Sequence, residues 1–192
     1  HTPKGILGMD EVGRGCVAGP IVAAGVFLSF DEIPKLKDRV CDSKKLSEPE
    51  RNRIAAELAA EIPHSIVLRS ADYIDANGIQ AANMGIFADL IAIYADRIGL
   101  ALIDGTQAPK GLVVPVQTIP KGESHSVAIA AASLIAKAHR DALMCAVHEI
   151  HPQYGFAAHK GYGTPAHTAT LREHGLLKGV HRTVFCRSLL AN

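Results

Sequence analysis

Along the chain, short apolar runs that stop on acids, glycine or proline alternate with longer stretches whose apolar positions recur at helical spacing. Gly5 to Met9 is an apolar run that ends abruptly on Asp10-Glu11, and a glycine-rich turn leads to Pro20 and the run Ile21 to Leu28, which opens on two β-branched residues. That pattern predicts strand, turn, strand, antiparallel because the connection is short. Ser47 with Glu50 three residues on is a capping-box start for a helix carrying Ile54, Leu58 and Ile62 at helical spacing and closed by Pro63. His64 to Arg69 reads as a strand. Ser70 and Asp72 open helical turns expected to continue past Asn77-Gly78, through Ile79 to Ile98, with Gly99 as the stop. Leu100 to Ile103 predicts a buried strand running into Asp104-Gly105, and Leu112 to Ile119 a further strand interrupted by Pro115. Ser124 to His148, rich in alanine and free of glycine and proline, predicts the longest helix, and Pro165 to about His174 a short one. Strands joined through helices are expected to run parallel, which makes the chain an α/β protein built on a central mixed sheet flanked by helices.

Composition narrows the class. At 192 residues, 48% hydrophobic and 20% charged, the sequence predicts one compact domain over 1–192 and excludes disorder. No run approaches the roughly 20 apolar residues of a membrane span, and the start carries no apolar signal core, so a cytoplasmic monomer is expected. Cys16, Cys41, Cys145 and Cys186 form no Cys-x-x-Cys pair, which predicts reduced thiols instead of a zinc site or disulfide framework. The net charge is only +1, so a nucleic-acid surface has to come from local clusters such as Lys35, Lys37, Arg39, Lys44, Lys45, Arg51 and Arg53.

The candidate chemistry lies at strand ends. Asp10 and Glu11 close one strand and Asp104 another; carboxylates converging at one edge of a sheet are costly without cations, and such hard oxygen donors select Mg²⁺ or Mn²⁺. Two such ions could activate water and stabilise a leaving phosphodiester oxygen. Each acid could equally cap a strand on a solvated face. Gly13-Arg14-Gly15-Cys16-Val17-Ala18 formally fits a dinucleotide fingerprint, but that motif must open a helix and here a strand follows. The glycines suit a tight turn that approaches a ligand through its backbone, with Arg14 available for phosphate; a plain hairpin turn also explains them. His148-Glu149-Ile150-His151 lacks metalloprotease spacing and reads as a solvated helix end, and no nucleophile elbow or phosphate loop occurs.

Taken together, Asp10-Glu11-Val12-Gly13-Arg14-Gly15 with Ala18-Gly19-Pro20, Asp42-Ser43-Lys44-Lys45-Leu46, Asp104-Gly105, Lys121-Gly122-Glu123, Ala130 to Lys137 with Arg140-Asp141, and His159-Lys160-Gly161-Tyr162-Gly163-Thr164 resemble bacterial ribonuclease HII across nearly the whole chain. The resemblance implies a ribonuclease H-like fold and an endoribonuclease acting on RNA/DNA hybrids and on ribonucleotides embedded in duplex DNA, with a two-ion Mg²⁺ or Mn²⁺ site. It implies Asp10, Glu11 and Asp104 as metal ligands, and Glu123 as the fourth carboxylate where the family usually has aspartate. It further implies that the Gly13, Arg14 and Gly15 turn contacts the 2′-hydroxyl, that Lys44 or Lys45 contacts phosphate, and that Tyr162 packs on the sugar following the ribonucleotide. Lys137 and Arg140 are expected to be either surface charge or substrate contacts, and Asp141 to make an exposed pair with Lys137. The accessory domain of the related ribonuclease HIII is expected to be absent. Two other readings stay open: a different nuclease or strand-transferase on the same fold, and a catalytically silent hybrid-binding module.

Overall fold

The computed structural model describes residues 5–40 and 47–190. Five strands, β1 (Gly5–Val12), β2 (Ile21–Leu28), β3 (His64–Arg69), β4 (Ile98–Asp104) and β5 (Val116–Ile119), form one mixed sheet in the order β3-β2-β1-β4-β5. The first hairpin is antiparallel, as its short turn requires, and β4 and β5 follow β1 in parallel. β3 pairs antiparallel with β2, which points it along β1.

Helices cover both faces. One layer contains α1 (Ile33–Val40), α2 (Glu48–Glu61) and the long α5 (Val127–Ile150). These pack on Ile6, Ala24, Val26, Leu28 and Leu102. On the opposite face α3 (Ala71–Asn77) and α4 (Ile79–Tyr94) pack on Leu7, Met9, Ile21, Ala23, Ala101 and Ile103. From Ile6 in β1 and Leu100 in β4 onward, odd and even residues therefore belong to different cores, the period-2 consequence of a pleated strand. α5 lies very close to β1. A Cβ on Gly8 would stand 2.3 Å from the backbone of Ala128, so glycine facing alanine sets this approach. After α5 come the four-residue α6 (Phe156–His159), α7 (Pro165–His174) and α8 (Thr183–Leu190), which build a third apolar cluster with Val17, Ala18 and Met144.

Several expectations need correction. The turns after Ser70 are two helices, broken at Gly78 (φ 84°, ψ 153°), and the second ends at Tyr94. Ile98 and Gly99 belong to β4, because the chain reverses at Arg97, whose N–H donates to the Tyr94 carbonyl at 2.9 Å. The strand predicted from Leu112 begins only at Val116. Pro115 cannot donate to a ladder, although its carbonyl accepts from Ala101 N–H at 2.9 Å. The long helix is capped by Ser126, with Ser124 in a preceding 3-10 turn. Ser47 caps α2 as anticipated, accepting from Glu50 N–H at 3.4 Å. Among the described residues Cys16, Cys145 and Cys186 are free thiols, and no helix is long and apolar enough to cross a membrane. The basic cluster is largely spent on internal pairs: Lys35 on Asp31, Arg39 on Glu57 and Glu61, Arg51 on Asp141, and Arg53 on Glu57.

Candidate active site

β1 and β4 run side by side in register Met9↔Ile103, so the next residues of each strand, Asp10 and Asp104, emerge together at their C-terminal ends. Both share the face covered by α5, with Ile6 and Leu102 behind them. Glu11, one residue on, points to the α4 face. Each face supplies its own partner. Ser133 of α5 hydrogen-bonds the Asp10 carboxylate, and the buried amide of Asn83 on α4 hydrogen-bonds Glu11. Asp104 accepts from Gly122 N–H at 2.6 Å, which ties the end of β4 to the turn that carries Glu123.

Asp10 is only 8% exposed. Burial pushes its carboxyl up to about 7, and the negative charges of Asp104 and Glu11 add to the rise, against the Ser133 hydrogen bond and the Glu11 N–H. Glu11 is also raised, mainly by burial and further by Asp104, with Arg14 and Asn83 opposing. Asp10 and Glu11 are thus held, beside Asp104, where their ionisation is unfavourable unless a cation enters. Among the described residues no three His, Cys, Asp or Glu side chains converge into a ready-made metal cage, so closing on an ion would need side-chain adjustment. The donor chemistry, hard carboxylate oxygen from Asp10, Glu11 and Asp104, fits Mg²⁺ or Mn²⁺.

Glu123 is placed differently. It follows Gly122 and lines a small cavity of about 90 Å³ with Lys37, Val40 and His125, while the acids acting on Asp10 are Asp104 and Glu11. Asp141, expected to be exposed, is 3% exposed, and its ion pairs reach from there to half-buried cations: Lys137 Nζ lies 2.7 Å away and Arg51 3.8 Å. The two acids should therefore fail in different ways. Glu123→Gln is expected to lower activity sharply and raise the metal concentration needed, with Glu123→Asp retaining turnover at a shifted metal requirement. Asp141→Asn is expected to lower the melting temperature because it leaves two cations partnered by a neutral amide, with the metal requirement unchanged. Metal titrations and thermal melts of the three variants check this, and a dead but stable Asp141→Asn beside a wild-type-like Glu123→Gln would reverse the assignment.

The Gly13-Arg14-Gly15 segment is a β-turn, with Cys16 N–H donating to the Gly13 carbonyl at 3.3 Å, and no helix follows it. Gly13 has φ 89°, and a Cβ there would lie 2.1 Å from Arg140 Nε, so only glycine fits. Arg14 is exposed and donates to Gln80 Oε1 at 2.8 Å, while Gln80 in turn bonds Gln107. Arg140 is neither surface charge nor exposed substrate contact. It is fully buried and donates to the carbonyls of Pro20 (2.9 Å), Ala18 (3.0 Å) and Lys160 (2.8 Å). A second buried arginine, Arg182, donates to Gly19 O (2.9 Å) and Arg14 O (3.1 Å), and burial brings its guanidinium down to about 10. Backbone bonds from Val17 and Ala18 to the Gly161 carbonyl complete the junction. Tyr162, 41% exposed, is thereby held beside the turn, with its hydroxyl against the Cys16 thiol.

Asp10, Glu11 and Asp104 are thus brought to one place, with the Gly13-Arg14-Gly15 turn and Tyr162 held to each other next to them. Lys44 and Lys45 lie outside the described residues. Sequence reasoning missed Asn83, Gln80 and Arg182 altogether, and gave Ser133 no role of its own.

A mixed sheet in this order, with acids at the ends of adjoining parallel strands, defines the class as a nuclease of the ribonuclease H-like fold. A family profile described as Ribonuclease HII matches residues 7–188. Ribonuclease HII 2 of Methylibium petroleiphilum is 44% identical over 185 residues, covering 96% of this chain and 83% of that protein. Among solved structures, ribonuclease HII in the PCNA:RNase HII complex from Archaeoglobus fulgidus superposes with a TM-score of 0.78 at 26% identity, over 93% of this chain and 94% of that one. Bst-RNase HIII in complex with Mn²⁺ shares the fold at a TM-score of 0.77 and 23% identity, over 98% of this chain and 70% of that one. The chain belongs to the ribonuclease HII family and is a metal-dependent ribonuclease H.

Proposed function

We propose that this enzyme hydrolyses the RNA strand on the 5′ side of ribonucleotides embedded in duplex DNA, as well as in RNA/DNA hybrids, leaving 3′-hydroxyl and 5′-phosphate ends. The observation that carries the reading is the pairing of Asp10 and Asp104 at adjoining strand ends, where burial and mutual repulsion hold Asp10 at about 7. Asp10, Glu11 and Asp104, with Glu123 from the adjoining turn, are the residues that would hold divalent ions. Two bound Mg²⁺ or Mn²⁺ ions would supply water activation and stabilisation of the leaving oxygen. Everything else falls to the chain itself. Ser133 and Asn83 orient their carboxylates from opposite sides of the sheet. The Gly13-Arg14-Gly15 turn offers backbone groups to the 2′-hydroxyl, the group that separates RNA from DNA. Tyr162 packs against the sugar that follows the ribonucleotide, and Arg14 is available to phosphate at the cost of its bond to Gln80.

The test is cleavage of a duplex carrying one ribonucleotide, with and without metal, followed by analysis of the ends. A 2′,3′-cyclic phosphate would sink the proposal, since that product requires attack by the 2′-hydroxyl. Cleavage of all-DNA duplex would favour a general nuclease, and binding without turnover a silent binding module. In the same assay Tyr162→Ala is expected to lose activity on the single embedded ribonucleotide more than on continuous hybrid. Equal losses on both substrates would remove Tyr162 from junction recognition.

A further inference from the structure

Beneath Tyr162 lie three clustered imidazoles that no step above uses. His167 is fully buried and His181 nearly so, and the His159 and His167 rings stack at 4.1 Å between centroids. His167 Nδ1 stands 2.9 Å from the Tyr162 carbonyl, His167 Nε2 stands 3.0 Å from His181 Nε2, and His181 Nδ1 stands 2.8 Å from Leu177 N. Only one assignment of protons satisfies all three contacts. The Leu177 N–H can only donate, so His181 Nδ1 is the acceptor and the proton of this neutral ring sits on Nε2. That proton is given to His167 Nε2, which must then be bare, so the His167 proton sits on Nδ1 and is given to the Tyr162 carbonyl. Burial holds both rings below their ordinary range, His181 at about 4, which keeps the chain neutral.

The far end of this chain is anchored in the other recognition element. His181 forms a β-bridge with Ala18, and the next residue, Arg182, binds Val17 O through its backbone and Gly19 O and Arg14 O through its side chain. Phe156 and Tyr154 pack on the imidazoles and exclude water. Tyr162 is thus held at its carbonyl by His167, a support that returns through His181 and Arg182 to residues 14–19.

We propose that His167 and His181 are positioning residues for substrate discrimination: their single-tautomer hydrogen-bond chain sets the Tyr162 backbone against the Gly13-Arg14-Gly15 turn. The inference rests on the reading of Tyr162 as the group that meets the sugar after the ribonucleotide.

Asparagine and glutamine separate the two ends of the His167 ring. His167→Asn places an amide near the Nδ1 position and keeps the donor to Tyr162, whereas His167→Gln reaches the Nε2 position, keeps a contact to His181 and loses that donor. His167→Gln is expected to lower kcat/KM on a single embedded ribonucleotide about tenfold relative to continuous hybrid, the size of one hydrogen bond, and to shift the Tyr162 carbonyl ¹³C resonance. His167→Asn is expected to restore both. Equal substrate ratios in the two variants would reduce the cluster to packing and overturn the proposal. Nitrogen-15 spectra of the unmodified protein at neutral pH decide the matter even where substitution prevents folding: His167 protonated at Nδ1 and His181 at Nε2 support the proposal, and the opposite tautomer in either ring overturns it. Tyr162→Ala serves as the reference. An unchanged ratio there defeats the reading of Tyr162 and this inference with it, whereas a lowered ratio there beside an unchanged one in His167→Gln defeats the positioning role alone.

Discussion

Asp10→Asn is expected to give an enzyme that turns over at least about a thousandfold more slowly and yet, without metal, folds more stably than the wild type. The first half follows from the proposed ligand role. Deleting a single oxyanion donor costs about 10²–10³ in kcat, and removing a ligand charge from the cation site should cost no less; Asp104→Asn is expected to behave alike. The second half follows from proton linkage. The Asp10 carboxyl sits at about 7 when folded against an ordinary 3.8, so the folded state holds its proton more tightly than the unfolded chain. Metal-free wild type therefore has this contribution in full below about pH 4, loses it as pH rises towards 7, and is without it at pH 8. The displacement corresponds to on the order of 4 kcal/mol, an upper bound. Asp10→Asn removes the dependence, because an amide does not ionise. Melting in a chelator at pH 5 and pH 8 should show a falling wild type and a flatter variant, with Mn²⁺ restoring only the wild type. Near-normal turnover by the folded variant at saturating metal would refute the role.

The second large effect is expected at Arg140. Its guanidinium satisfies three carbonyls from two separate loops, and Arg140→Met leaves Pro20, Ala18 and Lys160 without that donor in a dry interior. An unsatisfied buried acceptor costs about 1–3 kcal/mol. With partial relaxation, a loss of about 3–5 kcal/mol follows, or roughly 10–15 °C in melting temperature for a chain of this size. The methionine also leaves the loops carrying Gly13 and Tyr162 without their common anchor, so discrimination between a single ribonucleotide and continuous hybrid should fall beyond what stability explains. Arg140→Lys offers one compact donor group for three acceptors and is expected to recover only part of the loss. A change under about 1 kcal/mol by chemical denaturation would show that the loops hold themselves.

Arg140 also marks where reading by sequence stops. The first strand, its acidic end and the later strand ending at Asp104 are legible because strand burial and the terminating acids are local properties. What meets those acids is not. Ser133 and Asn83 reach Asp10 and Glu11 only because α5 and α4 cover opposite faces of one sheet, and the alternation of β1 sends adjacent carboxylates to opposite sides. An arginine three positions along from a lysine on a helix looks like solvated surface, and nothing nearby in the chain tells that Ala18 and Lys160 will surround Arg140. α8 was invisible for a similar reason: its first two amides are satisfied by the Asp75 carboxylate, at 2.7 Å and 3.2 Å, a cap supplied from 108 residues away. α1 is short and polar on balance, and its basic residues resemble a nucleic-acid patch in sequence although Arg39 is committed to Glu57 and Glu61 of α2. The turns from Ser70 look continuous past Gly78 in sequence because glycine in a helical pattern is tolerable by propensity, while its φ of 84° breaks the helix.

The anchoring of the Gly13-Arg14-Gly15 turn has a consequence for the order in which the protein can assemble. β1 and β2 are neighbours in sequence and need little chain to pair, but the turn between them is held by Arg140, Gly161 and Arg182, more than 120 residues further along. Closing contacts of such separation is slow compared with closing a hairpin. During synthesis the carboxylate-bearing strand exists long before the loops proposed to meet the sugar are fixed. On that proposal, discrimination between RNA and DNA is acquired late in folding, once the segment carrying His181 and Arg182 has docked against residues 14–19.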